Sequence, residues 1–315
     1  MADLLLELFS EEIPARMQAD AAAHLGVVLE KALGAKARMF VTPRRLAAII
    51  ENLPEKQPDL NEEIKGPKVG APEAAMAGFL KKTGLTAAQL EQRDGVYFAK
   101  IEQKGRATSE VLKEAIEKIL AEFPWPKSMR WGSGETSWVR PLHSMICLFD
   151  GKIVPVEFAG VKAGNKTRGH RFLAPAEIII PDAKQYESAL ENAKVIPDRE
   201  KRKANIAKQL EEKCKALGVA LHADAGLLEE VTGLVEWPVA LMGGFDAKYL
   251  SIPPEVPTTV MKQHQRYFAV LDKAGKLANQ FVFLSNMQAS DGGKAIVAGN
   301  ERVLKARLDD GIFHW

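Results

Sequence analysis

The first fifty residues constrain the fold most, because their apolar pattern changes period along the chain. Residues 4–9 form a short, mostly apolar run, which predicts a buried strand. Between Pro14 and Gly34, apolar residues recur at spacings of three and four, which predicts a helix covering a sheet. Residues 36–41 and 46–53 are typical of two further strands around a turn. The order strand, helix, strand, strand predicts an α+β protein.

The length of the chain predicts several domains. Its 315 residues exceed the size at which one hydrophobic core stops growing. We expect an α+β, multi-domain chain with mixed or antiparallel sheets, covering helices and a helical insert. The expected parts are an N-terminal α+β domain (1–60), a helical insert with a strand and a return helix (61–125), a β-rich unit (126–181), and a helical and α/β portion (182–315).

Composition argues against a membrane protein or a metal centre. No apolar run approaches the ~20 residues that a membrane span needs. The N-terminus lacks the basic start of a signal peptide, so we expect a cytoplasmic protein. Cys147 and Cys214 are far apart and form no CxxC pair, which predicts two reduced thiols and no metal site.

The C-terminal residues predict an apolar helix face without a polar cap. This face would comprise Val303, Leu304, Leu308, Ile312 and Trp315. A terminus that docks back onto the core is one explanation. We expect instead that the chain is the front part of a longer polypeptide.

The near-neutral net charge of +2 hides two opposed segments. Residues 1–30 carry six acidic residues against one arginine, and residues 127–171 carry eight basic residues against three acidic ones. This distribution predicts a surface with an acidic side and a basic side, although random scatter is the alternative. A further charged run at 199–203 predicts a solvated helix face, with an RNA-facing surface as the alternative.

Motifs for nucleotide activation are missing. Residues 164–169 have Walker-like glycine spacing, but His170 and Arg171 follow where lysine and serine or threonine would bind phosphate and Mg²⁺. Neither a nucleophile elbow nor a signature of the two synthetase classes is present. We therefore predict no catalytic residue and no metal ligand.

Basic side chains are concentrated in four segments, 42–45, 131–143, 164–172 and 261–268, and the last three also contain aromatic rings. Guanidinium groups suit phosphates, and aromatic rings stack on unpaired bases. Together the segments predict one nucleic-acid-binding face. The residues predicted to contact RNA are Arg44, Arg45, Arg140, Arg168, His170, Arg171, Lys262, His264 and Arg266.

Each segment also has a structural interpretation. Trp131 and Trp138 are typical core anchors. Arg140 could form an ion pair with Glu135 or Glu157, and His143 lies in an apolar stretch that favours a structural role. His264, between two glutamines, is the best candidate for an exposed functional histidine. An independent enzyme using His264 or His143 as a base is disfavoured, because neither has a recognisable nucleophile or metal partner.

Eight ordered motifs resemble the N-terminal part of the bacterial glycyl-tRNA synthetase β subunit. They are LELFSEEIP (6–14), TPRRL (42–46), KGP (65–67), GETSWVRP (134–141), GNKTRGHRF (164–172), VEWP (235–238), MKQHQRYF (261–268) and GNERVLKARL (299–308). The resemblance implies an α₂β₂ ligase in which the α subunit binds glycine, ATP and Mg²⁺. It also implies that β chains continue into an HD-type domain and a helical anticodon-binding domain.

From this resemblance we expect a noncatalytic, tRNA-contacting and assembly portion of glycine–tRNA ligase. Its expected partners are the α subunit and tRNA-Gly. No cofactor is expected in this chain, and the isolated chain is expected to be inactive. The alternative is a pure assembly module that docks on the α subunit without touching tRNA, its motifs serving as internal packing.

Overall fold

A computed structural model describes residues 1–314, excluding the side chain of His314. Trp315, predicted to extend the apolar face of the last helix, lies outside the described residues. The chain divides into two compact units. One contains Pro54–Glu114 with Met1, and the other contains Ala2–Leu53 with the residues from Ala115 onward.

The predicted strand, helix, strand, strand order at the N-terminus is confirmed. The α1 helix follows Pro14, and Gly34 ends it in the left-handed conformation at φ +70°. Met17, Leu25 and Leu29 lie on its buried face. The elements are β1 (Ala2–Ser10), α1 (Ala15–Leu33), β2 (Ala37–Thr42) and β3 (Arg45–Leu53).

The insert is a small unit with its own antiparallel sheet. Its strands are ordered β4, β6, β5, and the ring of Phe79 on α2 is buried. The boundary after Glu114 falls within α3. The elements are β4 (Leu60–Lys68), α2 (Glu73–Thr83), β5 (Glu91–Arg93), β6 (Val96–Gln103) and α3 (Thr108–Ala121).

The segment predicted as a separate β-rich unit shares a sheet with the N-terminal segment. β1 is mostly apolar and buried, so both of its edges need partners. β3 pairs with one edge and β7 with the other, and the sheet order is β2-β3-β1-β7-β10-β9. The new strands are β7 (Leu142–Phe149), β8 (Lys152–Ile153), β9 (Glu157–Phe158), β10 (Val161–Gly164), β11 (Lys166–Arg168) and β12 (Glu177–Ile179).

The C-terminal segment 186–314 contains a four-stranded antiparallel sheet covered on both faces. Its elements are α4 (Tyr186–Asn192), α5 (Arg199–Ala216), β13 (Ala220–Leu221), α6 (Ala225–Thr232), β14 (Val239–Gly244), α7 (Glu255–Val260), β15 (Phe268–Leu271), β16 (Leu277–Ser285) and α8 (Lys294–His314). Ile206 of α5 packs on one face of the sheet, and Leu304 of α8 packs on the other. The expected α+β class with mixed and antiparallel sheets is confirmed.

Two charge and burial predictions need correction. On α8, Leu304 and Leu308 are buried, but Val303 is 47% exposed, so the apolar face is narrower than the sequence indicated. In the charged run at 199–203, Arg202 is fully buried rather than solvated. Its guanidinium donates to the carbonyl oxygens of three separate segments, which satisfies the buried charge.

Within residues 1–314, no helix is both long and apolar enough to span a bilayer. Cys147 and Cys214 are free and buried.

Candidate nucleic-acid interface

Three of the four predicted segments, 42–45, 131–143 and 164–172, contribute residues to one cavity. The turn between β2 and β3 lies beside β11 and the end of β1, and they enclose a cavity of about 440 Å³. Phe9, Glu11, Arg44, His143, Ser144, Lys166, Thr167, Arg168 and Glu177 line this cavity, which we call the Arg44 cavity.

Arg45 lies inside the protein. Its guanidinium donates to Glu236 at 2.9 Å and to the Thr167 hydroxyl at 3.0 Å, and Glu7 lies 3.7 Å away. The Tyr186 hydroxyl donates to Glu7. This buried network joins β1, β3 and β11 to the segment before β14. A guanidinium with these internal partners holds the fold together and is not exposed to a phosphate.

Glu236 is ionised within this network. Burial alone would raise its pKa, but the charge of Arg45 and the hydrogen bonds from Thr42 and Arg45 lower the pKa below its ordinary value. Burial and the nearby Glu7 carboxylate raise the pKa of Tyr186 well above its ordinary value. The network therefore combines a carboxylate with a neutral phenol.

Arg44, the neighbour of Arg45, borders the cavity. Its guanidinium lies 4.6 Å from the centre of the Phe9 ring, and its Nη2 lies 3.8 Å from Glu11. Burial, followed by the charge of Arg171, lowers the pKa of Arg44. One turn thus directs the first arginine to a cavity and the second to the core.

Glu11 connects the acidic N-terminal segment with the basic middle segment. It pairs with Arg171 at 2.8 Å and with His143 at 2.9 Å. The hydrogen bond from His143, and then that from Arg171, lower the pKa of Glu11 despite partial burial. Arg171 also reaches Glu12 at 3.5 Å. Here the two segments neutralise each other, so the predicted separation into an acidic and a basic side does not hold at this position.

His170 is fully buried and both of its ring nitrogens are engaged. Nδ1 accepts the backbone N–H groups of Phe172 and Leu173, at 3.2 and 3.1 Å. Nε2 therefore carries the proton and donates to Oδ1 of Asn286 at 2.9 Å. His170 organises the loop after β11 and does not face solvent. The preceding Gly169 has no space for a side chain, because an added Cβ would lie 2.3 Å from the Ala174 carbonyl oxygen.

Arg168 and Arg140 have no carboxylate partner among the described residues. Arg168 is exposed on the rim of the Arg44 cavity and donates to the Pro175 carbonyl oxygen at 3.2 Å. Arg140 is half-buried and donates to the carbonyl oxygen of Val139. The ion pairs with Glu135 or Glu157 that the sequence suggested for Arg140 are not formed.

The segment 261–268 forms a second cluster on another part of the chain. Met261–Gln265 adopts a π-helical turn, and His264 is exposed. Lys262 pairs with Asp224 at 2.6 Å, and Arg266, at φ +60°, pairs with Glu230. Asp224 is the N-cap residue of α6, and Glu230 lies within that helix. Among the described residues, Lys262 and Arg266 form no hydrogen bond or ion pair with a residue that lines the Arg44 cavity.

The sequence did not single out several of the residues that organise the site. Asn286 carries no distinguishing local signal. Glu7 and Glu236 do carry a local signal, because each carboxylate interrupts a run of apolar residues and so requires a buried partner. Trp138 is a core anchor as interpreted, whereas Trp131 is half-exposed. Among the described residues, no group of three or more His, Cys, Asp or Glu side chains is arranged to hold a metal ion.

Comparisons with known proteins match the whole chain. A family model described as glycyl-tRNA synthetase beta subunit matches residues 4–315. The chain is 49% identical to the glycine–tRNA ligase beta subunit of Phenylobacterium zucineum, covering all of the chain and 48% of that protein. The proteins of the same name from Ruegeria sp. and Rhodospirillum centenum are 48% and 46% identical over the full chain. The chain spans about half the length of these curated relatives. It belongs to the glycyl-tRNA synthetase beta subunit family.

Proposed function

We propose that this chain is a noncatalytic, tRNA-contacting and assembly portion of the β subunit of a heterotetrameric glycine–tRNA ligase. The names of its relatives support the ligase role. In this proposal the α subunit binds glycine, ATP and Mg²⁺, and this chain by itself does not aminoacylate tRNA.

The observation that carries tRNA contact is the gathering of cations around the Arg44 cavity. Arg44, Lys166 and Arg168 come from two distant parts of the sequence and line one opening. Lys166 forms an ion pair with Glu177, whereas Arg168 forms no ion pair with a carboxylate in the described part of the chain. An exposed guanidinium with free donors can bind a phosphate oxygen without first breaking an ion pair.

A second candidate function is a pure assembly module. The burial of Arg45 and His170 favours it, because two of the nine predicted RNA contacts serve the interior. The ion pairs of Arg171, Lys262 and Arg266 also favour an assembly module, because these cations are already neutralised within the chain. In this case the motifs maintain a docking surface for the α subunit.

Binding of the purified chain to tRNA-Gly and to an unrelated tRNA, across a salt series, separates the two functions. tRNA contact predicts micromolar or tighter binding that weakens steeply with salt, because counterions are released from phosphates. A docking module predicts no tRNA binding and salt-insensitive association with the α subunit. Absence of tRNA binding at low salt would contradict the first proposal.

A further inference from the structure

A second cavity, of about 550 Å³, lies between the first half of α1 and the segment that follows α3. None of the nine residues predicted to contact RNA lines this cavity. It is lined by Arg16, Met17, Asp20, Ala21, His24, Phe123, Pro124, Trp125, Pro126 and Lys127. We call it the Trp125 cleft.

Aromatic rings form one wall of this cleft. The rings of Phe123 and Trp125 lie 4.8 Å apart, and His24 meets Phe123 edge-on at 5.1 Å. The buried ring of Trp138 lies 5.2 Å from both Phe123 and Trp125. Prolines on both sides of Trp125 restrict its backbone. The wall is therefore preorganised, and Phe123 and Trp125 are both only half-buried.

The charged groups of the cleft are not neutralised. Arg16 and Lys127 are exposed, and no carboxylate in residues 1–314 lies within ion-pair distance of either. Asp20 is the acidic residue among those lining the cleft. Arg16 and Lys127 differ in this respect from Arg171 and Lys262, each of which forms an ion pair with a carboxylate. The cleft thus combines a preorganised aromatic wall with two available cations.

We propose that the Trp125 cleft binds one unpaired nucleotide of an RNA. The base stacks on the Phe123 and Trp125 wall, and Arg16 and Lys127 bind the adjoining phosphate. The choice of RNA as the ligand rests on the function proposed above. A proline- and aromatic-lined cleft also fits a peptide, but two unpaired cations are better matched by a phosphate. The volume is within the range of small-molecule sites and accommodates a nucleotide.

Fluorescence anisotropy with two probes tests this assignment. The probes are tRNA-Gly and an unstructured RNA oligonucleotide of about eight nucleotides. Trp125→Ala should weaken oligonucleotide binding about tenfold or more, and Trp125→Phe should restore most of it, because phenylalanine keeps a stacking face. Thermal unfolding of each variant reports any loss of packing against Trp138.

A charge variant keeps the test decisive if Trp125→Ala proves unstable. Lys127→Ala changes an exposed side chain, so it should leave stability unchanged and reduce the salt dependence of binding by about one counterion. Lys31→Ala is the matched control. It removes an exposed lysine from the other end of α1, about 22 Å along the helix from Arg16, and should leave binding unchanged.

The outcomes separate this inference from the proposed function. If the chain binds tRNA-Gly but Trp125→Ala and Lys127→Ala bind both probes as tightly as the unmodified chain, the cleft assignment is overturned and the proposed function stands. If the chain binds only the oligonucleotide, and Trp125→Ala abolishes that binding, the cleft stands without tRNA contact. If these variants lose α-subunit association and keep RNA binding, the cleft is a peptide site and the assignment is overturned.

Discussion

His170 donates from Nε2 to Oδ1 of Asn286, 2.9 Å away, across 116 positions of sequence. The same oxygen accepts the backbone N–H groups of Glu236 and Trp237, at 3.0 and 3.1 Å. One amide oxygen therefore ties the loop after β11 to the segments that flank β14 and β16. The histidine of the GNKTRGHRF motif and the glutamate of the VEWP motif meet at a residue that belongs to neither.

Asn286→Ala should destabilise the chain, because it removes the acceptor of three donors. Leaving buried donors unpaired costs about 1–3 kcal/mol, so we expect a decrease of about 2 kcal/mol in the free energy of unfolding. Urea denaturation measures this change. Asn286→Asp is the matched control, because it keeps an oxygen at the same position and should cost less. Equal losses in the two variants would contradict the role assigned to the oxygen.

Removing Arg45 alone should be more damaging than removing it together with its main partner. Arg45→Met leaves the buried Glu236 carboxylate uncompensated, and breaking a buried pair in this way costs about 3–5 kcal/mol. The double variant Arg45→Met with Glu236→Gln leaves no such charge at position 236 and should recover part of the loss. A double-mutant cycle of urea denaturation measures the coupling. Additive losses would indicate that the pair does not interact energetically.

The pH dependence of stability should report Glu236. Its pKa in the folded chain lies below the ordinary value of 4.5. A lowered carboxylate pKa contributes stability that is complete above the unfolded value and is lost as pH falls through the folded value. Glu236→Gln should therefore be less stable than the unmodified chain at neutral pH, and the gap should narrow as pH falls below 4.5. Denaturation over a pH series, with the exposed Glu255→Gln as control, tests this expectation.

The thiols should be unreactive in the folded chain. Burial raises the pKa of Cys147 to about 12, and burial also raises the pKa of Cys214. The thiolate is the reactive form, so iodoacetamide should modify neither residue of the folded chain at about pH 8 and both after unfolding. Mass spectrometry of the alkylated peptides distinguishes the sites. Rapid modification of Cys147 in the folded chain would show that this part of the sheet opens readily.

Local periodicity predicted most of the elements whose burial follows one face. The apolar residues of α1 recur every three or four positions because one face of the helix is buried, and β1 is a mostly apolar run because it is buried along almost its whole length. β4 was not predicted. Its residues are largely exposed and polar, and it is a strand because β6 pairs with it. Pairing partners distant in sequence, rather than local propensity, decide such strands.

Local sequence also could not predict which of the basic residues in the site are buried and which are exposed. Arg44 and Arg45 are adjacent and chemically identical, yet one lines a cavity and the other is buried. The difference arises because Arg45 begins β3 opposite Phe9 and meets Glu236, 191 positions away. Arg202 likewise resembles its charged neighbours in the sequence. Only the structure shows that its guanidinium is buried and donates to three backbone carbonyl oxygens. Composition located the basic segments, but only the tertiary contacts decide which cations remain available.

Under the proposed function, the arginine that is already free of a carboxylate should contribute most to tRNA binding by the complete ligase. Arg168 has no carboxylate partner in the described chain, whereas Arg171 must leave Glu11 and Glu12 before it can bind a phosphate. Arg168→Ala should therefore raise the KM for tRNA-Gly several-fold and lower the salt dependence of binding by about one counterion. Arg171→Ala should have a smaller effect on phosphate contact, although it also frees two carboxylates that repel RNA.

Aminoacylation kinetics of the complete enzyme, at varied tRNA-Gly and saturating glycine and ATP, measure both effects. Lys152→Ala is the control, because that exposed lysine begins β8 and does not line the Arg44 cavity. The double variant Arg168→Ala with Arg171→Ala should raise KM more than either change alone and leave kcat nearly unchanged, since neither residue is proposed to take part in the chemistry. An unchanged KM in the double variant would remove this face from tRNA recognition and favour the assembly function.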